Sequence, residues 1–395
     1  MKENQIDLQL EEQGITRREF IKGAAATVAV VAFSPIALGK DPIPENARKK
    51  RALGQYFTEG AEWLQPQVEA FISGCGCSVA YDPFAGTGCL LSLVRKRLET
   101  IKEVKGLDID ASLGWETNDS LVNIPHVEDA LIVINPPYLS NYSASRKKIG
   151  DRVKKYFEST RYDDVYLLAL DKMLEAQRNV VAIIPETFIN SPYLQKNKLH
   201  SITILEQNPF LDTDTPVVVV CFDSIVKGYE SIRIYKNSDY VCTLQDVESC
   251  RIAPDNSVPI KFNDPQGWLA VRCVDSTDPA DMLRFDFKDG ISYDWEKGIK
   301  VSSRLLTLVT IDVPDEKRKL FIDECNAILG DIRKTSHDII LSPFKGNMKN
   351  GVRRRRLDFM TCRAIMERAY HRVVEDAKQA AQVDLFSFNS KEQVA

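Results

Sequence analysis

No excess of positive charge marks this 395-residue chain: 52 Lys and Arg stand against 56 Asp and Glu, for a net charge of −4. Overall charge therefore implies no nucleic-acid partner, and any basic surface has to be local. The nine cysteines (75, 77, 89, 221, 242, 250, 273, 325, 362) lack the even count and regular spacing of a secreted disulfide framework. Cys75-Gly76-Cys77 has no second pair at zinc-ligand spacing, so no structural metal is expected. Buried thiols in a reducing compartment are the simplest reading. A membrane-length apolar run is missing too. The uncharged stretch from Gly23 to Gly39 is short and Ala-rich, whereas a spanning helix needs about 20 strongly apolar residues. No stable membrane insertion is expected. At 44% hydrophobic and 27% charged residues, disordered, collagen-like and repeat-dominated chains are excluded. The length suggests two domains plus extensions, at roughly 150 residues each.

Four segments follow from the pattern. Residues 1–50 form an extension in which Arg17-Arg18 precedes the Ala/Val-rich run, an arrangement like a twin-arginine export signal, followed by a polar linker. Residues 51–227 alternate strand-like and helix-like stretches, which implies a mostly parallel sheet with helices on both faces. Buried strands are expected at Ala130–Ile134, Val180–Ile184 and Pro216–Phe222, and amphipathic helices at Cys89–Glu99 and Asp164–Ala176. Residues 228–380 are shorter-patterned and more polar, as in an irregular α+β domain, and 381–395 read as a flexible tail.

The first chemistry lies in Asp82-Pro83-Phe84-Ala85-Gly86-Thr87-Gly88, between a strand and a helix. Two glycines let a ligand approach the backbone. No Gly-Lys-Ser/Thr follows, which excludes a phosphate-binding P-loop. Asp108 then ends the next strand, about 20 residues on, where a carboxylate suits two ribose hydroxyls. Asp119 supplies a further acid suited to the adenine of the same ligand. Asn135-Pro136-Pro137-Tyr138 closes a buried strand with a stiff loop. The Asn135 side-chain oxygen and the Pro136 carbonyl can both accept from one exocyclic amino group, which concentrates lone-pair density on its nitrogen. Tyr138 can stack on the ring that carries it. Such a nitrogen can attack a methyl group without a strong base. In isolation each of these motifs is also an ordinary turn; their order is what gives them weight.

Taken in that order, and preceded by Gly54-Gln55-Tyr56-Phe57-Thr58, these segments resemble the N6-adenine DNA methyltransferases of restriction–modification systems. The order is that of the gamma group, type II-like, and the resemblance covers Leu53 to Asp223 in detail. It implies a doubly wound, Rossmann-like α/β methyltransferase sheet with a C-terminal α+β target-recognition domain. It implies S-adenosylmethionine as donor, held by Tyr56, Thr58, Asp82, Phe84, Gly86, Gly88, Asp108, Asp119 and Asn135, with no metal. Asn135, Pro136, Tyr138 and Phe210 would form the catalytic set, the last as a second aromatic contact to a flipped-out adenine in duplex DNA.

Two basic clusters offer the local charge. Ser145–Lys155 carries six basic residues, Arg146, Lys147 and Lys148 among them, against one acid. Leu341–Val374 carries nine against two, including Arg353, Arg354, Arg355 and Arg356, which cannot all share one helix face. Some of these are expected on DNA phosphates or base edges. Gln382-Val383-Asp384-Leu385-Phe386 resembles the short peptide by which replication and repair proteins bind the bacterial sliding clamp. A cognate restriction endonuclease is a further expected partner. Export would part such an enzyme from its DNA and its donor. A cytoplasmic site of action is therefore expected, with the twin-arginine-like segment an extension of unknown use or a graft. Alternatives are an RNA adenine or protein glutamine N-methyltransferase, and an exported non-catalytic binding protein that keeps the fold.

Overall fold

The computed structural model describes residues 60–138, 156–158, 160–210, 215–295 and 305–375. They divide into two compact units between Leu244 and Gln245.

The first unit is built on one nine-stranded sheet. In chain order its elements are α1 (Pro66–Gly74), β1 (Val79–Asp82), α2 (Cys89–Arg97), β2 (Glu103–Asp108), β3 (Glu116–Thr117), β4 (Ala130–Ile134) and α3 (Val165–Ala176). Strands β5 (Val180–Pro185), β6 (Leu199–Ile204), β7 (Val217–Phe222), β8 (Arg233–Lys236) and β9 (Asp239–Thr243) complete it. The strand order is β3-β2-β1-β4-β5-β7-β6-β8-β9. The pairs from β3 to β5 are parallel, and β7 is inserted antiparallel between β5 and β6.

Continuous apolar runs build the centre because both faces are covered. All five residues of β4 and all six of β7 are buried. Leu131, Val133, Val181, Ile183, Val217 and Val219 share a core with Val68, Phe71 and Ile72 of α1 and with Leu90, Leu91 and Val94 of α2. The alternate residues Ile132, Ile134, Ala182 and Ile184 are equally buried and face the other way. Each such aliphatic side chain contributes about 1.5–3 kcal/mol relative to exposure. This is the doubly wound α/β fold expected from the alternation of strands and helices.

The boundary expected near Lys227 falls later. Strand β8 pairs in parallel with β6, and β9 pairs with β8, so the polar stretch after Ser224 extends the large sheet. Its half-exposed edge strands lack the apolar runs that mark the centre.

The second unit is α+β. After α4 (Leu244–Ser249), strands β10 (Ile260–Phe262), β11 (Leu269–Arg272), β12 (Arg284–Phe287) and β13 (Leu306–Ile311) form an antiparallel sheet in the order β10-β13-β11-β12. Helices α5 (Arg318–Thr335) and α6 (Phe359–Tyr370) share one core with it, through Phe321, Cys325, Ile328, Cys362 and Ile365. The Asp358 carboxylate caps α6 by accepting from Thr361 N at 2.9 Å. Between the helices, β14 (Ser342–Asn347) and β15 (Arg353–Arg356) make a two-stranded ribbon, and Arg356 of β15 is also bridged antiparallel to Val274, just past β11.

Candidate active site

Strands β1 and β4 lie side by side, yet the chain runs from β1 outward to β2 and from β4 in the other direction to β5. Loops leaving their carboxyl ends therefore diverge, and the crevice between them is where doubly wound sheets bind ligands. The 83–88 loop leaves β1, Asn135–Tyr138 leaves β4, and Asp108 ends the adjacent β2. One sheet edge thus gathers Asp82, Phe84, Gly86, Gly88, Asp108, Asn135, Pro136 and Tyr138.

The glycine loop is held from below by carboxylates. Gly86 and Gly88 adopt φ of +52° and +74°, a left-handed conformation that side chains disfavour. Phe84 N donates to Asp82 Oδ1 at 2.9 Å, and Gly86 N donates to Asp108 Oδ2 at 2.9 Å. Asp110 N donates to the other Asp108 oxygen at 2.9 Å. Ser120 Oγ donates to Pro83 O at 2.6 Å, which ties in the segment that carries Asp119. Asp108 thus braces the loop as well as ending β2. Each of its oxygens keeps a second lone pair toward which a hydroxyl could point.

Burial sets the electrostatics here. Among the described residues, no cation is in salt-bridge contact with Asp82, Asp108 or Asp110, which are all buried. Burial pushes the Asp82 carboxyl up to about 8, with the Phe84 amide opposing and the Asp108 charge adding to the rise. Burial likewise raises Asp108, against the Asp110 and Gly86 amides. Asp110 was missed in the sequence. Its Oδ1 accepts from Ser112 N at 2.9 Å and from Ser112 Oγ at 2.7 Å, while its Oδ2 is buried without a hydrogen-bond partner among the described residues. Leaving such an atom unsatisfied costs about 1–3 kcal/mol, a cost that a ligand donor would relieve.

Trp115 was missed too, for want of any local signal. Its indole Nε1 donates to Gly86 O at 2.9 Å. A Cβ on Gly88 would lie 2.8 Å from its ring, and one on Gly106 would lie 2.5 Å from it. Both glycines are therefore needed for the indole to lie against the loop. At Gly88 this packing adds to the reason read from the sequence.

At the other side of the crevice, Tyr138 OH donates to Ile183 O at 2.7 Å, which anchors the Asn135–Tyr138 loop to β5. The Tyr138 ring meets Tyr166 at 6.3 Å and 79°, and Phe210 at 6.4 Å and 68°. A sandwiched base needs parallel rings roughly 7 Å apart, two contacts of about 3.5 Å. Phe210 is instead buried edge-on behind Tyr138, within the apolar core, and offers no face to a base in this arrangement. Asp119 accepts from Tyr156 OH at 2.6 Å.

The arginine run corrects the sequence reading most. Residues 353–356 form a strand, so successive side chains alternate faces. Arg355 is 2% exposed, and its guanidinium donates to Leu341 O at 3.4 Å, so it is not a surface contact for DNA. Arg354 donates to Asp275 O at 2.7 Å while stacking over Phe344 at 4.8 Å. Tyr56, Thr58, Arg146, Lys147, Lys148, the Arg17-Arg18 pair and the Gln382–Phe386 peptide lie outside the described residues.

Comparison with solved structures finds methyltransferases. A class I S-adenosylmethionine-dependent methyltransferase of Listeria monocytogenes, described as putative, aligns at 12% identity and a TM-score of 0.34, over 45% of this chain and 65% of that one. A modification subunit of a putative type I restriction enzyme from Vibrio vulnificus aligns at 17% identity and 0.36, over 48% and 49%. The M protein of the type I enzyme EcoKI aligns at 12% and 0.30, over 75% and 74%. The chain thus spans 65% and 49% of the length of the first two. No protein-family model and no curated protein sequence matches. With these TM-scores below 0.5, functional conclusions rest on the site's own residues.

Proposed function

We propose that the chain is an S-adenosylmethionine-dependent DNA methyltransferase that acts on adenine N6, as the modification component of a restriction–modification system. One observation carries the reading: Asn135-Pro136-Pro137-Tyr138 and the glycine loop leave neighbouring strands β4 and β1 at the point where the strand order reverses. The orphaned Asp110 Oδ2 and the second lone pairs of Asp108 fit a ligand rich in hydroxyl donors.

S-adenosylmethionine supplies a sulfonium methyl group that a neutral amine can attack. Asp108 and Asp110 would take its ribose hydroxyls, Asp119 its adenine amino group, and the backbone at Gly86 its methionine part. Tyr56 and Thr58 would close the methionine end. On the substrate side, Asn135 and the Pro136 carbonyl would hold the two N6 protons and raise the nucleophilicity of the nitrogen. Tyr138, braced by Tyr166, Phe210 and the Ile183 carbonyl, would stack on a base flipped from the duplex. Such contacts return about 1–3 kcal/mol of the flipping cost. Phe210 acts through Tyr138.

The test is incubation with methyl-labelled donor and duplex DNA, structured RNA or protein, followed by hydrolysis and identification of the labelled product. N6-methyladenine from duplex DNA supports the reading. Label in RNA adenine or in protein glutamine would replace it with one of those chemistries, and no transfer at all would leave a binding protein on this fold.

A further inference from the structure

We infer that Trp115 is a positioning residue of the donor site: its indole fixes the 86–87 peptide so that the Thr87 amide meets the carboxylate of the donor's amino-acid part. The inference rests on the proposed use of S-adenosylmethionine and names one contact within it.

One amide of the glycine loop stands apart from the rest. Phe84 N donates to Asp82 Oδ1 and Gly86 N to Asp108 Oδ2, each at 2.9 Å. Ala85 N donates to Leu107 O at 2.8 Å, and Gly88 N to Ala85 O at 2.8 Å. Thr87 N alone, from Phe84 to Gly88, has no acceptor among the described residues, and Thr87 is exposed. Its direction is set from behind. Trp115 Nε1 donates to Gly86 O at 2.9 Å. A trans peptide is planar, so fixing this oxygen fixes the Thr87 N–H on the opposite side of the plane, away from the indole. Gly86 is thus pinned twice, its N–H by Asp108 and its carbonyl by Trp115. Without the second pin, a glycine at this position leaves rotation of the peptide cheap.

The fold gives the indole one place to lie. Gly114, at φ +79°, turns the chain into β3, and β3 pairs in parallel with β2, Glu116 opposite Leu107. Trp115 therefore comes level with Gly106, whose missing side chain makes room for the ring. The groups nearby separate the parts of the donor. Asp108 and the partnerless Asp110 Oδ2 suit hydroxyl donors, which places the ribose at the β2 end. An amide suits an anion, and the only anion of S-adenosylmethionine is the carboxylate of its amino-acid part.

The experiment measures, by calorimetry on the full chain, binding of S-adenosylmethionine, S-adenosylhomocysteine and methylthioadenosine to the parent and to Trp115→Phe. The first two carry the carboxylate; the third has the ribose and adenine but no amino-acid part. Expected is a loss of about 10-fold for the first two and none for the third. In methyl transfer the donor KM should rise by the same factor while kcat stays within about 2–3-fold. Benzothienylalanine placed at position 115 keeps the shape of the indole and removes only its N–H. It should show the same selective loss; parent-like affinity there would assign the Phe result to packing and overturn the inference. Equal losses for all three ligands, or none, would overturn it as well, while donor binding by the parent leaves the proposed donor standing. A parent that binds none of the three would overturn both. Thermal unfolding checks that the variants fold, and a lost transition in the Phe variant leaves the benzothienyl variant to decide.

Discussion

Buried carboxylates are treated in opposite ways in the two units. In the second, Asp275 is wholly buried and accepts from Arg333, Leu283 N and Arg355 N, while Arg333 also pairs with Asp338 at 2.7 Å. Glu367, 2% exposed, likewise holds Arg363 at 3.1 Å and the Asp255 amide at 2.8 Å. In the first, Asp82, Asp108 and Asp110 are as deeply buried but are met by backbone amides and a serine. A buried charge with a cation beside it fastens a fold. Buried carboxyls without one keep unspent acceptor capacity, and burial raises the pKa of Asp82 and Asp108, the pattern found where a ligand is to be bound.

The sharpest way to break this contrast is to remove one acid from each unit. Asp275→Ala should strand Arg333 in the core and cost about 3–5 kcal/mol, enough to unfold the second unit in a denaturant titration. A cost below about 1 kcal/mol would show the cluster to be dispensable. Asp82→Asn should act in the reverse direction. The folded-state pKa near 8 lies above the ordinary value of about 4, so folding favours the proton. The stability linked to Asp82 is full below about pH 4 and is lost as pH rises through 8. Asparagine keeps the acceptor for Phe84 N and has no charge to bury. The variant should therefore gain stability over the parent progressively from pH 4 to 8. Equal pH profiles for the two would refute the raised pKa.

The contrast also predicts separable functional losses. Asn135→Ala removes one of the two acceptors for N6 and should lower the methylation rate about 10²–10³-fold, while donor affinity measured by calorimetry stays within a few-fold. Gly88→Ala meets the Trp115 ring at 2.8 Å and a φ of +74°. It should weaken donor binding and cost about 1–3 kcal/mol of stability. Adding Trp115→Phe removes the six-membered indole ring from that contact and should restore part of the stability. If it restores none, the strain lies in the backbone alone.

Period and punctuation carried the fold. Apolar runs such as Val217–Phe222 and the glycine and proline breaks at 86, 88, 136 and 137 place strands, loops and site edge without any long-range information. What stayed hidden depends on partners distant in sequence. Trp115 meets Gly86 and Gly88 only because the β1 and β2 ends are neighbours in the sheet. Asp110 is singled out by burial, not by its spacing. Arg353–Arg356 looked uniform as a charge run, yet strand alternation and Asp275, about 80 residues away, make one of the four a core residue. The boundary was misplaced because the polar edge strands β8 and β9 look like the start of another domain until their pairing is seen.

The smallest effect tests whether burial, rather than pairing itself, sets these magnitudes. His371 lies between two carboxylates, with Nδ1 2.6 Å from Glu375 and Nε2 3.3 Å from Asp255, and Ser257 Oγ is 3.1 Å from Nε2. The Glu375 contact is the main cause of a raised pKa, helped by Asp255 and opposed by slight burial. The proton is therefore held more tightly in the folded state. The stabilisation is fully present below the ordinary histidine value of about 6.5, and is lost as pH rises through the raised folded value. Both carboxylates are about half exposed, so solvent screens the pair and the whole effect should stay under about 1 kcal/mol. His371→Gln should lower stability slightly at pH 6 and leave it unchanged at pH 9, and added salt should shrink the difference at pH 6. A loss at pH 6 as large as that of Asp275→Ala would mean that pairing alone suffices, and the contrast between the two units would lose its basis in burial.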